Sequence, residues 1–227
     1  MFPAVLNRAV YNLAGALFRR RRNARFRDLL QQLPNRPRIL DVGGRRSYWE
    51  GMGWFADQEH DLQIVNVSAA EGPAGELQCV ADARRLPYRR EAFDVVFSNS
   101  VIEHLGDRAG QAEMAAEVRR VGKRYFIQTP NRNFPIEPHF LIPLFNFLPR
   151  RWQIGLLYRL RVEYFGKRIL TRRQAERVLN ELKMVTKKEL AGIFPEAALI
   201  EEKFLGLTKS FMVYAGWETP WEQVSTT

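Results

Sequence analysis

Two pairings of a carboxylate with a histidine, Glu103 next to His104 and Glu137 two residues before His139, are the side chains of this sequence best suited to proton transfer. A histidine titrates near neutral pH and can take a proton from a hydroxyl or similar nucleophile, and a neighbouring carboxylate can hold the ring and its charge. His139, His104 and Glu137 are therefore the candidate catalytic residues, with Glu103 adjoining them. Each has a plainer reading: His104 packs at a helix start, and His139 anchors the segment around it. The third histidine, His60, falls in a surface turn. The single Cys79 excludes an intramolecular disulfide and a cysteine-based zinc site, fits a reducing compartment, and leaves no metal site to expect. A second stretch, ILDVGGRRSYWE at residues 39–50, leads an apolar run through an aspartate and a glycine pair. It reads either as a loop that lets a ligand approach the backbone or as a strand turning into a helix.

The elements that must position these residues are short. Apolar runs at residues 38–42, 62–67, 77–81, 93–98 and 124–129 alternate with helix-compatible sequence such as residues 107–121. The alternation predicts an α/β fold, a parallel sheet covered by helices on both faces. Ligands of such sheets bind outside the carboxyl ends of the strands, where DVGGRRS, NVSAAEG, ADARRLPY, SNSVIEHL and TPNRNFPIEPH fall. Residues 198–204 and 210–217, linked through Gly206, read as a closing antiparallel hairpin that brings the strands to seven. Residues 130–170, rich in proline and aromatic side chains, are too long for a simple crossover and read as an insertion or lid. After them Thr171 caps a helix to about Leu182, and residues 187–194 form a shorter one. Ahead of the sheet, Leu6, Val10, Leu13 and Leu17, then Phe26, Leu29, Leu30 and Leu33, predict a helix over residues 4–33 with a break, stopped by Pro34 and Pro37. The expected organisation is a basic helical segment over 1–37 and one domain over 38–227 that contains the insertion.

The segment DARRLPYRREAFDVVFSNSVIEHL, residues 82–105, resembles the class I S-adenosylmethionine-dependent methyltransferases, in particular the type 11-like subgroup with D-A-x-x-L-P-[FY]-x-x-x-x-F-D-x-V between its third and fourth strands. The resemblance extends over residues 38–129 and implies a Rossmann-like, doubly wound sheet with S-adenosylmethionine as cofactor. Carried over by position, it puts Asp41 beside the cofactor at the end of the first strand, and lets Gly43 and Gly44 bring the backbone close to its methionine and ribose parts. Asp82 and Ala83 match the adenine-contacting pair, and Asn99 and Ser100 would lie beside the methionyl tail and the methyl group. The chain departs from the family where acidic-x-G-x-G-x-G is usual, with Arg45 and Ser47 at the last two glycine positions. Arg45 or Arg46 could pair with the ligand's carboxylate, and Ser47 could cap the following helix. The acidic residue common at the end of the second strand is also missing; Asn66 or Ser68, with Glu71 beyond, stands near the ribose hydroxyls.

The formal charge of +10 is unevenly spread, since Arg8, Arg19, Arg20, Arg21, Arg22, Arg25 and Arg27 all precede the first acidic residue, Asp28. Clustered arginine suits anionic lipid, nucleic acid or an acidic partner, and equally a solvated helix face. The N-terminus is not a secretory signal, because its charges follow the apolar part, although an arginine-rich, acid-poor leader also has the composition of an organelle-targeting segment. No run approaches the ~18 apolar residues that cross a bilayer, so the expectation is a cytoplasmic chain, soluble or membrane-peripheral. FLIPLFNFLPRRWQIGLLYRL alternates apolar bulk with arginine, as in an interfacial lid or a lipophilic pocket, and equally in an oligomer interface or ordinary core. The SNS after the fourth strand, where an NPPY-like tetrapeptide would stand, argues against methylation of a base's exocyclic amine. The expected function is methyl transfer to a small or lipid-associated acceptor. Its alternatives are a noncatalytic binding or scaffold protein of the same fold and an RNA-directed methyltransferase, although no nucleic-acid-binding module can be read.

Overall fold

The structure, a computed structural model, describes residues 4–33, 36–51, 53, 61–68 and 78–218. His60, Glu71 and Pro34 lie outside the described residues, as do the side chains of Leu6, Val10, Leu13 and Leu17. In chain order the elements are helix α1 (Ala4–Leu30), strand β1 (Arg38–Val42), helix α2 (Arg46–Glu50), strands β2 (Asp61–Asn66), β3 (Gln78–Val80) and β4 (Val95–Asn99), helix α3 (Arg108–Val121) and strand β5 (Tyr125–Pro130). There follow helix α4 (Arg150–Arg159), the two-residue strands β6 (Glu163–Tyr164) and β7 (Lys167–Arg168), helices α5 (Arg172–Glu181) and α6 (Lys187–Ile193), and strands β8 (Ala198–Phe204) and β9 (Leu207–Ala215). One-turn 3-10 helices at Ile102–His104 and Phe145–Phe147 complete them.

Seven strands form one sheet in the order β3-β2-β1-β4-β5-β9-β8, and β6 pairs with β7 in a separate ribbon. The contacts among β1 to β5 are parallel, while β9 runs antiparallel to both β5 and β8. This is the mostly parallel, doubly wound sheet with a C-terminal antiparallel hairpin that the sequence predicts. The second hairpin strand starts earlier than the expected 210, at Leu207, because the turn is confined to Leu205 and Gly206, where Gly206 takes a left-handed φ of 80°.

The sheet is covered on both faces, and the two-residue period of its strands sorts side chains between them. Ile39, Val95, Phe97 and Phe126 join one core cluster, whereas Leu40, Val96 and Ile127 join the other. Helix α3 begins where the Asp107 carboxylate accepts the Gly110 N–H at 2.8 Å, and it buries Met114, Ala115, Val118 and Val121 on the second face. On the first face α1 buries Phe26, Leu29 and Leu30 beside Trp49 and Phe97, with the Phe26 and Phe97 rings 4.8 Å apart. Each such side chain contributes roughly 1.5–3 kcal/mol of transfer free energy. Helix α1 runs unbroken to Leu30, without the expected interruption. The second half of the basic segment 1–37 therefore shares the core of the sheet, because Phe18, Arg22 and Phe26 repeat every four residues and fall on one stripe.

The insertion builds a third cluster of its own, in which Phe140, Phe145, Ile154, Leu157 and Ile169 pack against Ala175, Val178 and Leu179 of α5. Helix α5 is fixed at its start by a reciprocal box: Thr171 Oγ1 accepts the Gln174 N–H, and the Gln174 side chain accepts the Thr171 N–H. Thr186 and Glu189 do the same for α6. No helix among the described residues is long and apolar enough to cross a membrane.

Candidate active site

A cavity of about 870 Å³ opens at the carboxyl ends of β1, β4 and β5. One end is formed by the turn after β1. Asp41, Val42, Gly43, Gly44, Arg45 and Ser47 all reach its wall. Gly43 takes φ 77°, and a Cβ on it would overlap Val101. A Cβ on Gly44 would overlap the Asp41 carboxylate, so this glycine lets an acid pack against the turn.

Asp41 is buried; its Oδ2 accepts the Trp49 indole N–H at 2.6 Å and its Oδ1 has no partner. Burial pushes its carboxyl up to about 7, against the partial relief from Trp49. Arg45 precedes α2 in an extended conformation, φ −131° and ψ 139°, so replacing a glycine here stores no left-handed strain. Ser47 lies inside α2 and does not cap it, contrary to its expected helix-capping role, because Arg45 occupies the cap position and no side chain caps the helix. Of the two loop arginines, Arg45 is on the wall, while Arg46 bonds Glu50 at 2.7 Å.

The residues after β2 and β3 are arranged differently from the expectation. Asn66 is buried, donates to the Gly44 carbonyl at 2.8 Å and reaches the cavity, whereas Ser68 is not part of the wall. Ala83 lines the cavity but Asp82 does not. The Asp82 carboxylate is paired with Arg84, with Nη2 and Oδ2 2.6 Å apart, and that hydrogen bond holds it below the usual carboxylate range. Backbone geometry decides this: the Arg84 N–H also donates to Asp82 Oδ1 at 2.9 Å, which turns the carboxylate along its own loop.

After β4, Asn99 and Ser100 are both on the wall. Ser100 takes φ 58° and is tied to Gln128 on β5 through its backbone N–H (3.0 Å) and its hydroxyl (2.9 Å). The Asn99 carbonyl oxygen accepts from Arg22, which crosses from α1 and pairs with Glu202 of β8 at 2.8 Å. Both charged side chains of that pair are almost fully buried. The arginine cluster therefore divides: Arg22 points inward, and Arg19, Arg20, Arg21 and Arg27 are exposed. Sequence reasoning missed Arg22 as a site residue, although its place between Phe18 and Phe26 on a buried stripe was a usable signal.

At the other end of the cavity the two expected histidines meet. The His104 and His139 rings are 4.9 Å apart, edge to face, and Glu103 adjoins both. His139 Nδ1 and its backbone N–H both bond Glu137, at 2.6 Å and 2.8 Å. Glu137 is fully buried and absent from the cavity wall, so of the three expected catalytic residues His104 and His139 line the cavity and Glu137 holds His139 from behind. His104 Nδ1 lies 3.1 Å from the Tyr164 hydroxyl of the insertion's ribbon. Burial pulls His104 down to about 3, with the charge of His139 acting the same way. For His139 burial also acts downward, but the hydrogen bond and charge of Glu137, joined by Glu103, outweigh it and leave the ring above its ordinary value. Glu103 is pushed up to about 7 by burial. The arrangement gives an oriented imidazole whose Nε2 can take a proton, next to a second, neutral imidazole.

Residues 58–125 match the family model described as Methyltransferase domain. Two uncharacterized proteins of Mycobacterium tuberculosis, from strains CDC 1551 and H37Rv, are each 42% identical over 53 residues, which is 23% of this chain and 18% of the relative. The match thus spans under a fifth of the curated relatives' length. Among solved structures, the chain is similar to a SAM-dependent methyltransferase from Methanosarcina mazei, with 14% identity, 81% of this chain and 93% of that chain covered, and a TM-score of 0.48. It is also similar to a SAM-dependent methyltransferase from Aquifex aeolicus (11% identity, 84% and 87% covered, TM-score 0.48). A third is geranyl diphosphate C-methyltransferase from Streptomyces coelicolor A3(2), solved with Mg2+, geranyl diphosphate and S-adenosyl-L-homocysteine (11% identity, 82% and 76% covered, TM-score 0.48).

Proposed function

We propose that this chain, which carries a methyltransferase domain of the class I, type 11 kind, binds S-adenosylmethionine at the turn after β1 and methylates an acceptor held at the histidine end of the same cavity. The observation that carries the reading is the continuity of that cavity from Gly43 and Gly44 to His104 and His139. The residues fit the cofactor: Asp41 Oδ1 is a buried acceptor without a partner, suited to an ammonium group, and Arg45 is suited to a carboxylate. S-adenosylmethionine supplies a methyl group already activated by the sulfonium. Adenine contact falls to the backbone and small side chain of Ala83 and to Ala81, with Asp82 joining only if it exchanges its exposed partner Arg84, which costs little at a half-exposed pair. Asn66 takes the ribose side in place of Ser68.

The chain's own contribution is alignment and proton removal. His139, held by Glu137, accepts the acceptor's proton at Nε2, and Tyr164 and Phe165 close the pocket over it. Because the charge of Glu137 raises His139, turnover increases with pH until that ring is neutral, above its ordinary range. We take residues 38–227 as the methyltransferase domain and 130–170 as its acceptor-side insertion, with residues 1–37 lending Arg19 and Arg22 to the wall. A lipid-associated acceptor is favoured by the insertion's exposed surface, where Leu144, Phe147, Trp152 and Leu160 are exposed among Arg150, Arg151, Arg159 and Arg161. Calorimetric titration with S-adenosylmethionine and S-adenosylhomocysteine tests the reading. Micromolar binding of either is expected; no heat at millimolar ligand would favour a noncatalytic binding protein.

A further inference from the structure

We infer that Glu103, His104 and His139 form a binding site for a divalent transition-metal ion at the acceptor end of the cavity. The three residues come from two places that the fold brings together, the 3-10 turn after β4 and the loop after β5, and each offers one donor atom within 4.8 Å of the others. Two donors on a single ion, with bonds of about 2.1 Å, stand at most about 4.2 Å apart. Small side-chain rotations therefore suffice to close the cluster.

Glu103 makes this more than a chance grouping. It is fully buried and reaches the cavity, yet no lysine or arginine pairs with it among the described residues. Its Oε2 accepts the Thr129 hydroxyl at 3.0 Å, while Oε1 has no partner. A buried carboxylate oxygen with nothing bonded to it, on a residue that lines a cavity, is an atom a cation would satisfy.

Each prospective ligand is also held from behind, as ligands of bound metals are. Glu137 Oε1 takes His139 Nδ1, Tyr164 takes His104 Nδ1, and Thr129 takes one oxygen of Glu103. Each residue still offers a donor to an ion, a ring nitrogen of His104 and of His139 and a carboxylate oxygen of Glu103. Two imidazoles and one carboxylate select Zn2+, Mn2+, Fe2+ or Co2+ over Mg2+ and Ca2+, which prefer oxygen donors throughout. Coordination positions not filled by these residues face the cavity and would take an oxygen of the acceptor, so the acceptor class is one that carries an ionisable oxygen. With an ion bound, His139 Nε2 is a ligand, and the ion does the acidifying of the acceptor oxygen that the free imidazole would otherwise assist.

The inference uses the proposed acceptor pocket but does not depend on S-adenosylmethionine, and the test separates the two. Full-length protein freed of metal by chelator is titrated with Co2+, read by its visible absorption, and then with Zn2+ in competition. One equivalent should bind. Glu103→Gln, which keeps the size of the side chain and a carbonyl to face Thr129, should weaken binding at least tenfold, and so should His104→Gln. Thermal unfolding and S-adenosylhomocysteine titration of each variant report whether it is folded. Should the variants fail to fold, Mn2+ added to the parent must broaden the ring resonances of His104 and His139 before those of any other side chain. No Co2+ binding at millimolar metal, or equal binding by parent and folded variants, overturns the site. Metal binding without S-adenosylhomocysteine binding would leave the site standing and sink the methyltransferase reading instead.

Discussion

Asp41→Asn should make the protein more stable and a poorer binder of S-adenosylhomocysteine. In the native fold Asp41 holds its proton up to about pH 7, against an ordinary value of 3.8, because burial disfavours the charge more than the Trp49 hydrogen bond favours it. The sign follows from linkage: between those two values the folded protein keeps a proton that the unfolded chain has released, so parent stability falls as pH rises through the window. Below 3.8 the residue contributes no penalty, and above about 7 the penalty is complete and constant. Three pH units at about 1.36 kcal/mol each set it at up to about 4 kcal/mol. Asparagine cannot ionise, and its carbonyl oxygen can accept the Trp49 N–H that Asp41 Oδ2 accepts. Urea unfolding of parent and variant at pH 5 and pH 8.5 isolates the effect, because Glu103, which is raised in the same way, is common to both proteins and cancels. The variant's advantage should be far larger at pH 8.5. If Asp41 Oδ1 accepts the ligand's ammonium, the same variant loses a charge-assisted hydrogen bond, about 1.5–3 kcal/mol or roughly 10- to 100-fold in Kd for S-adenosylhomocysteine. A stability difference independent of pH would refute the buried-charge argument, and unchanged affinity would remove Asp41 from the ligand.

Arg22→Met should destabilise by about 3–5 kcal/mol, since it strands Glu202 in the core, whereas the double variant with Glu202→Gln should regain much of that loss; denaturant unfolding of all four proteins closes the cycle. His139→Ala should leave S-adenosylhomocysteine affinity intact and lower turnover by roughly 10²- to 10⁴-fold, measured once an acceptor is in hand. Replacing Phe147 and Trp152 by Glu should abolish flotation with anionic vesicles if the exposed side of the insertion meets lipid, and should shift the thermal unfolding midpoint little, because both residues are more exposed than buried.

What could be read from the sequence was what local patterns determine. The five parallel strands, the helix over residues 107–121, the Thr171 cap and the closing hairpin each rest on a few adjacent residues, and each forms near its expected bounds. The pairing of His139 with Glu137 was legible for the same reason, being two residues apart. Contacts between distant segments were not. Trp49 reaches back to Asp41 only because Gly44 has no side chain to keep them apart, and Arg22 meets Glu202 across 180 positions of sequence. The motif reads Asp82 as a ligand from position and residue type, and in the structure Arg84, two residues on, holds the same carboxylate, a competitor the motif does not show.

Arg22 also changes what the basic N-terminus means physically. A solvated arginine helix would be independent of the sheet, but Arg22 bonds Asn99 at the end of β4 and Glu202 on β8, and Arg19 and Gly15 reach the same cavity wall. A charge held in that way is not screened as a surface charge is, so the helix acts directly on the end of the cavity formed by the turn after β1. Lys209, whose pKa is lowered by desolvation, lines the cavity as well and joins Arg19 and Arg22 there. The cavity thus carries arginine and lysine near α1 and β9, with Asp41 at the turn after β1, and Glu103 with two histidines near the insertion. A ligand carrying both a carboxylate and a cationic group would meet partners of both signs at the turn after β1, Arg45 and Asp41, while Arg20 and Arg21 of α1 are exposed to solvent.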